Sequence, residues 1–265
     1  MGESTSGEEF QEYDDDLVAV LEGVWGAGYL SPGGPAEVDR IVNGLELAGK
    51  HMLDIGCGVG GAAVHLATSY GPAKVLGIDI EADLIERCRR LADKLQVSDR
   101  VEFQQVTPGP LVCNNVSFDL VFSKDAIIHI EDKHALANDI YRVLRPGGWF
   151  CASDWLAGYP DQPSPEMQAY IKAEGLDFGL ADVATYVAAL TSAGFVNITT
   201  DDRNAWYREE ARVERDRMAG PLSAGLRTTV GDEFLDHELD VWDKMIVALD
   251  QGQLRPTHLR AQKPS

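Results

Sequence analysis

Basic residues are scarce in this chain: Lys and Arg number 23 against 43 Asp and Glu, a formal net charge of −20 at neutral pH. Phosphate backbones are bound by clustered cations that displace counterions, so this deficit argues against nucleic acid and anionic membranes as partners. Long apolar runs are also missing. Nothing approaches the roughly 18 consecutive apolar residues of a membrane-spanning helix, so a soluble protein without a membrane partner is expected. The start, MGESTSGEEFQEYDDD, lacks the basic residues and the apolar segment of a secretory signal, which makes the cytoplasm the expected compartment. Cysteine is confined to Cys57, Cys88, Cys113 and Cys151 with no CxxC pair, so the pattern suggests neither a disulfide framework nor a metal site.

What is present is an ordinary globular composition in 265 residues, enough for one α/β domain with a modest insertion. Apolar spacing predicts a helix over 14–26, a turn-rich loop GYLSPGG at 28–34 and a helix over 36–47. Strands and helices then alternate. Strands are expected at 51–55, 74–80, 100–106, 118–124 and 149–155, with helices over 62–70, 82–95 and 132–144. Arg145-Pro146-Gly147-Gly148 stops the last of these helices. Such alternation implies a parallel, doubly wound sheet. The stretch 156–182 breaks the pattern and reads as an insertion; a helix over 183–193 and a strand over 195–202 resume it. Two helical stretches follow within 205–252, and LRPTHLRAQ reads as a last strand.

The strongest signal is LDIGCGVGG at 53–61, between a strand and a helix. Glycines there let the backbone turn tightly and approach a ligand, and the helix behind offers free N–H donors. Gly56, Gly58 and Gly61 also satisfy the GxGxxG spacing of a nicotinamide-type dinucleotide site, so the loop alone leaves an oxidoreductase open. Three features favour a sulfonium cofactor. Asp79, followed by Ile80, ends the next strand where a carboxylate accepts ribose hydroxyls. Asp54 precedes the glycines, where negative charge suits an ammonium or sulfonium better than a pyrophosphate. FDLVFSKDAIIHI at 118–130 places a polar run at the end of the fourth strand.

With these pieces the chain resembles the class I S-adenosylmethionine-dependent methyltransferases. The resemblance implies an α/β, Rossmann-like doubly wound sheet with a helical N-terminal lid and a helical insertion after the fifth strand. It divides one domain, 1–265, into a lid (1–35), a cofactor-binding core (36–155) and a substrate cap (156–182 and 205–252). It also implies that Asp54, Gly56, Gly58, Asp79, Ile80, Val106, Thr107, Ser123 and Lys124 border S-adenosylmethionine, with Thr107 where the family usually has an acidic residue.

A narrower resemblance is to the phosphoethanolamine N-methyltransferases and the sarcosine and dimethylglycine N-methyltransferases. It is carried by EYDDD around Tyr13, GYLSPGG, LDIGCGVGG, GIDI, FSKDAIIHI, ASDW at 152–155 and ATYVAALTSAGF. It implies a catalytic pair of Tyr13 and His129 beside Asp125, with Leu30 and Ser31 in a loop closing over the cofactor. An ammonium has no lone pair, so an amine acceptor must lose a proton, and a histidine titrates in the useful range. Where the parasite-type phosphoethanolamine enzymes hold phosphate, this chain has Trp155, Glu174 and Leu176, and a carboxylate there repels phosphate. The favoured acceptor is therefore a glycine- or sarcosine-type zwitterion. Trp155 would stack on its cationic centre, and Arg203, Arg208 or Arg212, near Trp206 and Tyr207, would take its carboxylate. Phosphoethanolamine N-methylation, S-methylation of methionine and cofactor binding without catalysis remain open. Acidic composition would suit an organism that accumulates methylated osmolytes.

Overall fold

The structure is a computed structural model that describes residues 13–159, 161–175 and 179–265. Leu176 and the first twelve residues of the expected lid lie outside the described residues. Local chemistry sets most borders. Helix α1 (Asp15–Trp25) starts where Asp14 accepts from Leu17 N at 2.8 Å, which satisfies one of the open N–H groups of a first turn. Helix α2 (Gly34–Ile41) starts earlier than expected and stops short of 47, because the chain turns at Gly44 with φ +80°.

Strand β1 (His51–Ile55), helix α3 (Gly61–Tyr70), strand β2 (Lys74–Asp79), helix α4 (Ala82–Lys94) and strand β3 (Val101–Gln105) follow the expected alternation. Strand β4 (Phe118–Lys124) then enters a 3₁₀ turn (Ile127–His129), and helix α5 (Lys133–Val143) leads into β5 (Leu144–Ala157). The Pro-Gly-Gly stop lies inside β5, where the pairing with β4 jumps from Phe118↔Leu144 to Leu120↔Trp149. Helices α6 (Pro165–Glu174) and α7 (Val183–Ala193) precede strand β6 (Val196–Asp202). The region expected to hold two helical stretches holds α8 (Asn204–Ala219), α9 (Ser223–Val230) and α10 (Asp232–Asp250), because glycines at 220 and 231 interrupt it; β7 (Leu254–Gln262) closes the sheet.

The seven strands run in the order β3-β2-β1-β4-β5-β7-β6. The sheet is mixed rather than fully parallel, since β7 pairs antiparallel with both β5 and β6. The reason is where the chain returns. Leu254, at the start of β7, pairs with Ala157, at the end of β5, so the chain re-enters the sheet at the end where the parallel strands finish and must run down. One face packs on α2, α3 and α4 and the other on α5 and α7. A third apolar cluster joins α1, α6, α8, α9 and α10, with Val20, Tyr170, Tyr207 and Trp242 among its members. Together these helices stand over the carboxyl ends of β4 and β5, the end at which open α/β sheets place ligands.

Candidate active site

Two cavities meet at the strand ends. The larger, about 590 Å³, runs under the glycine loop; the smaller, about 60 Å³, lies beneath the helical cluster. Tyr13, Leu30, Ser31, Asp125 and His129 line both, so these residues form the junction.

The larger cavity is built mostly from consecutive backbone. Gly56 and Gly58 have φ of +69° and +54°, conformations that favour glycine, and a Cβ on Gly56 would lie 2.2 Å from the Cβ of Ala126. Gly58 N donates to Asp79 Oδ2 at 2.9 Å and Glu81 N to Asp79 Oδ1 at 3.1 Å, so one carboxylate ties the loop to the end of β2. Burial raises the Asp79 pKa, and the backbone donors partly offset that. Asp54, 1% exposed, lines the same cavity, and among the described residues its Oδ2 has no hydrogen-bond partner. Burial first, and the Asp79 charge second, push its pKa up to about 7. Ile80, Val106 and Thr107 line this cavity. The sequence did not single out the neighbouring turn Pro108 to Leu111 or Asp139, which hold the other end; Asp139 Oδ2 accepts from Leu111 N at 2.8 Å.

The junction is held by a chain of polar contacts. Asp125 has φ +56°; its N donates to Ser153 O at 2.7 Å and its Oδ1 accepts from Ser153 Oγ at 2.7 Å. Lys124 Nζ bridges Asp125 Oδ2 (2.6 Å) and Ser31 Oγ (2.7 Å), so the 28–34 loop is fastened to the end of β4. Beneath the turn that carries His129, buried Asp154 accepts from Ile128 N at 3.0 Å and from the Tyr186 hydroxyl. Lys133 Nζ donates to Ile127 O at 2.9 Å and to Ile130 O. These contacts fix the turn, and with it the place of His129.

The smaller cavity is built from side chains far apart in sequence: Trp25 of α1, Trp155 of β5, Tyr170 and Glu174 of α6, and Glu238 and Trp242 of α10. Trp155 and Glu174 were expected there. Tyr170, Glu238 and Trp242 were not singled out, although a readable signal existed: Leu235, Glu238, Val241, Trp242 and Met245 fall on one buried stripe of α10, and a carboxylate on such a stripe is unusual.

Six expected site residues lie elsewhere. Ser123 is fully buried beneath the floor, where its Oγ donates to Ile55 O at 2.8 Å and ties β4 to β1. Arg203 lines neither cavity; its Nε and Nη2 donate to the two oxygens of Glu37 at 2.9 and 3.3 Å. Burial works against the Glu37 charge, but His258 and Arg203 bring its pKa down to about 2. Trp206 stacks under the Arg203 guanidinium, and Tyr207 is wholly buried with its hydroxyl donating to Glu214 Oε2 at 2.9 Å. Arg208 and Arg212, the other expected carboxylate holders, both pair with Asp250.

A methyltransferase-domain family profile matches residues 46–189, more than half of the chain. A phosphoethanolamine N-methyltransferase of Triticum aestivum is 33% identical over 264 residues, covering 95% of this chain and 50% of its own. The chain thus spans about half the length of the curated relatives it matches. Among solved structures, a Haemonchus contortus phosphoethanolamine N-methyltransferase 2 in complex with S-adenosyl-L-methionine superimposes with a TM-score of 0.89 at 25% identity, over 97% of this chain and 59% of its own. A putative sarcosine dimethylglycine methyltransferase from Galdieria sulphuraria shares the fold, with a TM-score of 0.81 at 19% identity over 96% and 99% of the two chains. Fold and loop together define a class I methyltransferase architecture. The chain belongs to the methyltransferase-domain family.

The residues present fit S-adenosylmethionine. The orphaned Asp54 oxygen suits its ammonium, and Gly58, where a Cβ would crowd Leu30 at 3.3 Å, leaves room above the loop. Among the described residues no helix is long and apolar enough to cross a membrane.

Proposed function

We propose that the chain is an S-adenosylmethionine-dependent N-methyltransferase whose acceptor is a small amine held in the smaller cavity. The observation that carries this reading is the junction: Tyr13, Asp125 and His129 border both cavities, so an acceptor and a sulfonium methyl would meet there.

When bound, the cofactor supplies an electrophilic methyl group on sulfur. The chain's part is positioning and proton handling. The acceptor ammonium would give a proton to His129, which would free the nitrogen lone pair to take the methyl group from sulfur, with the thioether as leaving group. Asp125, locked by Lys124 and Ser153, presents a fixed carboxylate beside the acceptor. Tyr13 and Leu30 cover the junction and exclude water, so the aligned pair is not diluted by solvent.

Arg203, Arg208 or Arg212 was the expected partner of a zwitterion's carboxylate, and their engagement with Glu37 and Asp250 withdraws that support from a glycine- or sarcosine-type acceptor. A phosphoethanolamine acceptor is favoured by one observation, the names of the relatives. The experiment is mass-spectrometric detection of methylated product after incubation with S-adenosylmethionine and each of phosphoethanolamine, glycine, sarcosine, dimethylglycine and methionine. Product on any amine supports N-methylation; product on methionine alone overturns it in favour of sulfur.

A further inference from the structure

Two buried glutamates of the helical cluster make an informative pair. Glu214, 1% exposed, is satisfied by three donors: Trp25 Nε1 at 2.7 Å, the Tyr207 hydroxyl at 2.9 Å and Trp242 Nε1 at 3.3 Å. Glu238, 6% exposed and one turn from Trp242 on the same helix, makes no hydrogen bond or ion pair among the described residues. It lines the smaller cavity together with Glu174, whose carboxylate accepts a hydrogen bond from the Tyr170 hydroxyl and has the Glu238 charge as a near neighbour. A carboxylate left facing such a cavity without a partner is costly, and Glu214, on α8 of the same apolar cluster, shows that the cluster can satisfy one.

Neither glutamate lines the larger cavity, so both stand away from the junction where the methyl group would arrive. The walls between are aromatic, with Tyr13, Trp25, Trp155, Tyr170 and Trp242, and such faces attract cations. Among the described residues no Lys or Arg lines this cavity. An acceptor that carried phosphate or carboxylate at its far end would put that anion against two carboxylates.

We propose that the acceptor is a compact diamine, one nitrogen at the junction for methylation and a second ammonium between Glu174 and Glu238, with no anionic group. This rests on the reading of the smaller cavity as the methyl-acceptor site. Size agrees. A cavity of about 60 Å³, at roughly 10–15 Å³ for each water-sized group, takes about four to six non-hydrogen atoms, the range of diamines with two to four carbons. The charge states agree as well. Without a ligand, burial first and then the Glu238 charge raise the Glu174 pKa to about 8, and burial first and then Asp14 raise that of Glu238 to about 7. A cation between them would favour the ionised forms of both.

The test uses the full chain with S-adenosylmethionine and, separately, 1,3-diaminopropane, putrescine, ethanolamine, phosphoethanolamine and sarcosine, with kcat and KM from methylated product. The expected result is a kcat/KM for a diamine at least about 100-fold above those for phosphoethanolamine and sarcosine. In Glu174→Gln and Glu238→Gln the diamine KM should rise at least about ten-fold, and the diamine-to-ethanolamine selectivity should fall by as much. Cofactor affinity by calorimetry serves as the check that each variant is folded. Turnover of phosphoethanolamine or sarcosine with diamines inactive overturns the diamine proposal and leaves N-methylation standing. Cofactor binding with no turnover of any amine overturns both.

Discussion

The two cavities that meet at Tyr13 and His129 differ in how they are made. The larger rests on main chain: positive-φ glycines, N–H groups donated to Asp79, and strand ends in fixed register. Side chains near it can vary while the loop keeps its shape. The smaller has no such frame, because its walls are side chains from helices that share only an apolar cluster. Replacing one of them changes charge and volume without disturbing the sheet. A fold built this way holds one cofactor and allows its acceptor to change, which is why relatives named for phosphoethanolamine leave the acceptor of this chain to be read from the cavity itself.

The largest expected effect on turnover comes from the frame. Gly56→Val should abolish cofactor binding by calorimetry, a weakening of at least about 100-fold, since its branched side chain would collide with Ala126 at a backbone angle of +69° that β-branched residues avoid. Retained binding would mean that the loop is softer than its geometry implies. Next is the junction. His129→Ala should lower kcat by about 10²–10⁴ while the cofactor Kd changes little, because proton removal and not cofactor binding is lost. An unchanged kcat would point to an acceptor that needs no base, such as a thioether.

Asp54 ranks third and carries a signed pH dependence. Its pKa in the folded chain is about 7 against an ordinary 3.8, so between those values the folded state holds more protons than the unfolded state. Stability therefore falls as pH rises through that window, by about 4 kcal/mol at 1.36 kcal/mol per unit, before the cofactor binds. Cofactor binding runs the other way: its ammonium needs the ionised carboxylate, so affinity should tighten with rising pH and level off above about 7. Asp54→Asn should weaken binding and flatten that profile, and it should raise the melting temperature of the free protein at pH 8 more than at pH 4. A profile as steep in the variant as in the parent would remove Asp54 from the cofactor's ammonium.

Legibility in the sequence followed the same divide. The glycine loop, Asp54, Asp79 and the bounds of β1, β4 and β7 were readable because each depends on neighbours a few residues away. The direction of β7 was not, since it depends on where three helices return the chain. Glu238 was missed for a related reason: only the packing of α10 against α6 and α1 turns its stripe inward and leaves its carboxylate facing a cavity. Arg203 was misplaced because its partner, Glu37, lies 166 residues away, and nothing local marks the two as a pair.

That misplacement yields the smallest expected effect on turnover. If Arg203 took an acceptor carboxylate, Arg203→Ala would raise the acceptor KM by an order of magnitude or more. Its guanidinium is instead committed to Glu37, with His258 Nε2 also 2.8 Å from the same carboxylate. Removing it leaves a buried glutamate with one partner fewer, so the loss should appear as stability, about 1–3 kcal/mol in denaturant melts. Acceptor KM and kcat should stay within about two-fold, because nothing that lines either cavity has moved. The same substitution thus separates the two regions: a kinetic change would bring Arg203 into the acceptor site and revive a zwitterion, whereas a purely structural change leaves acceptor recognition to the carboxylates of the smaller cavity.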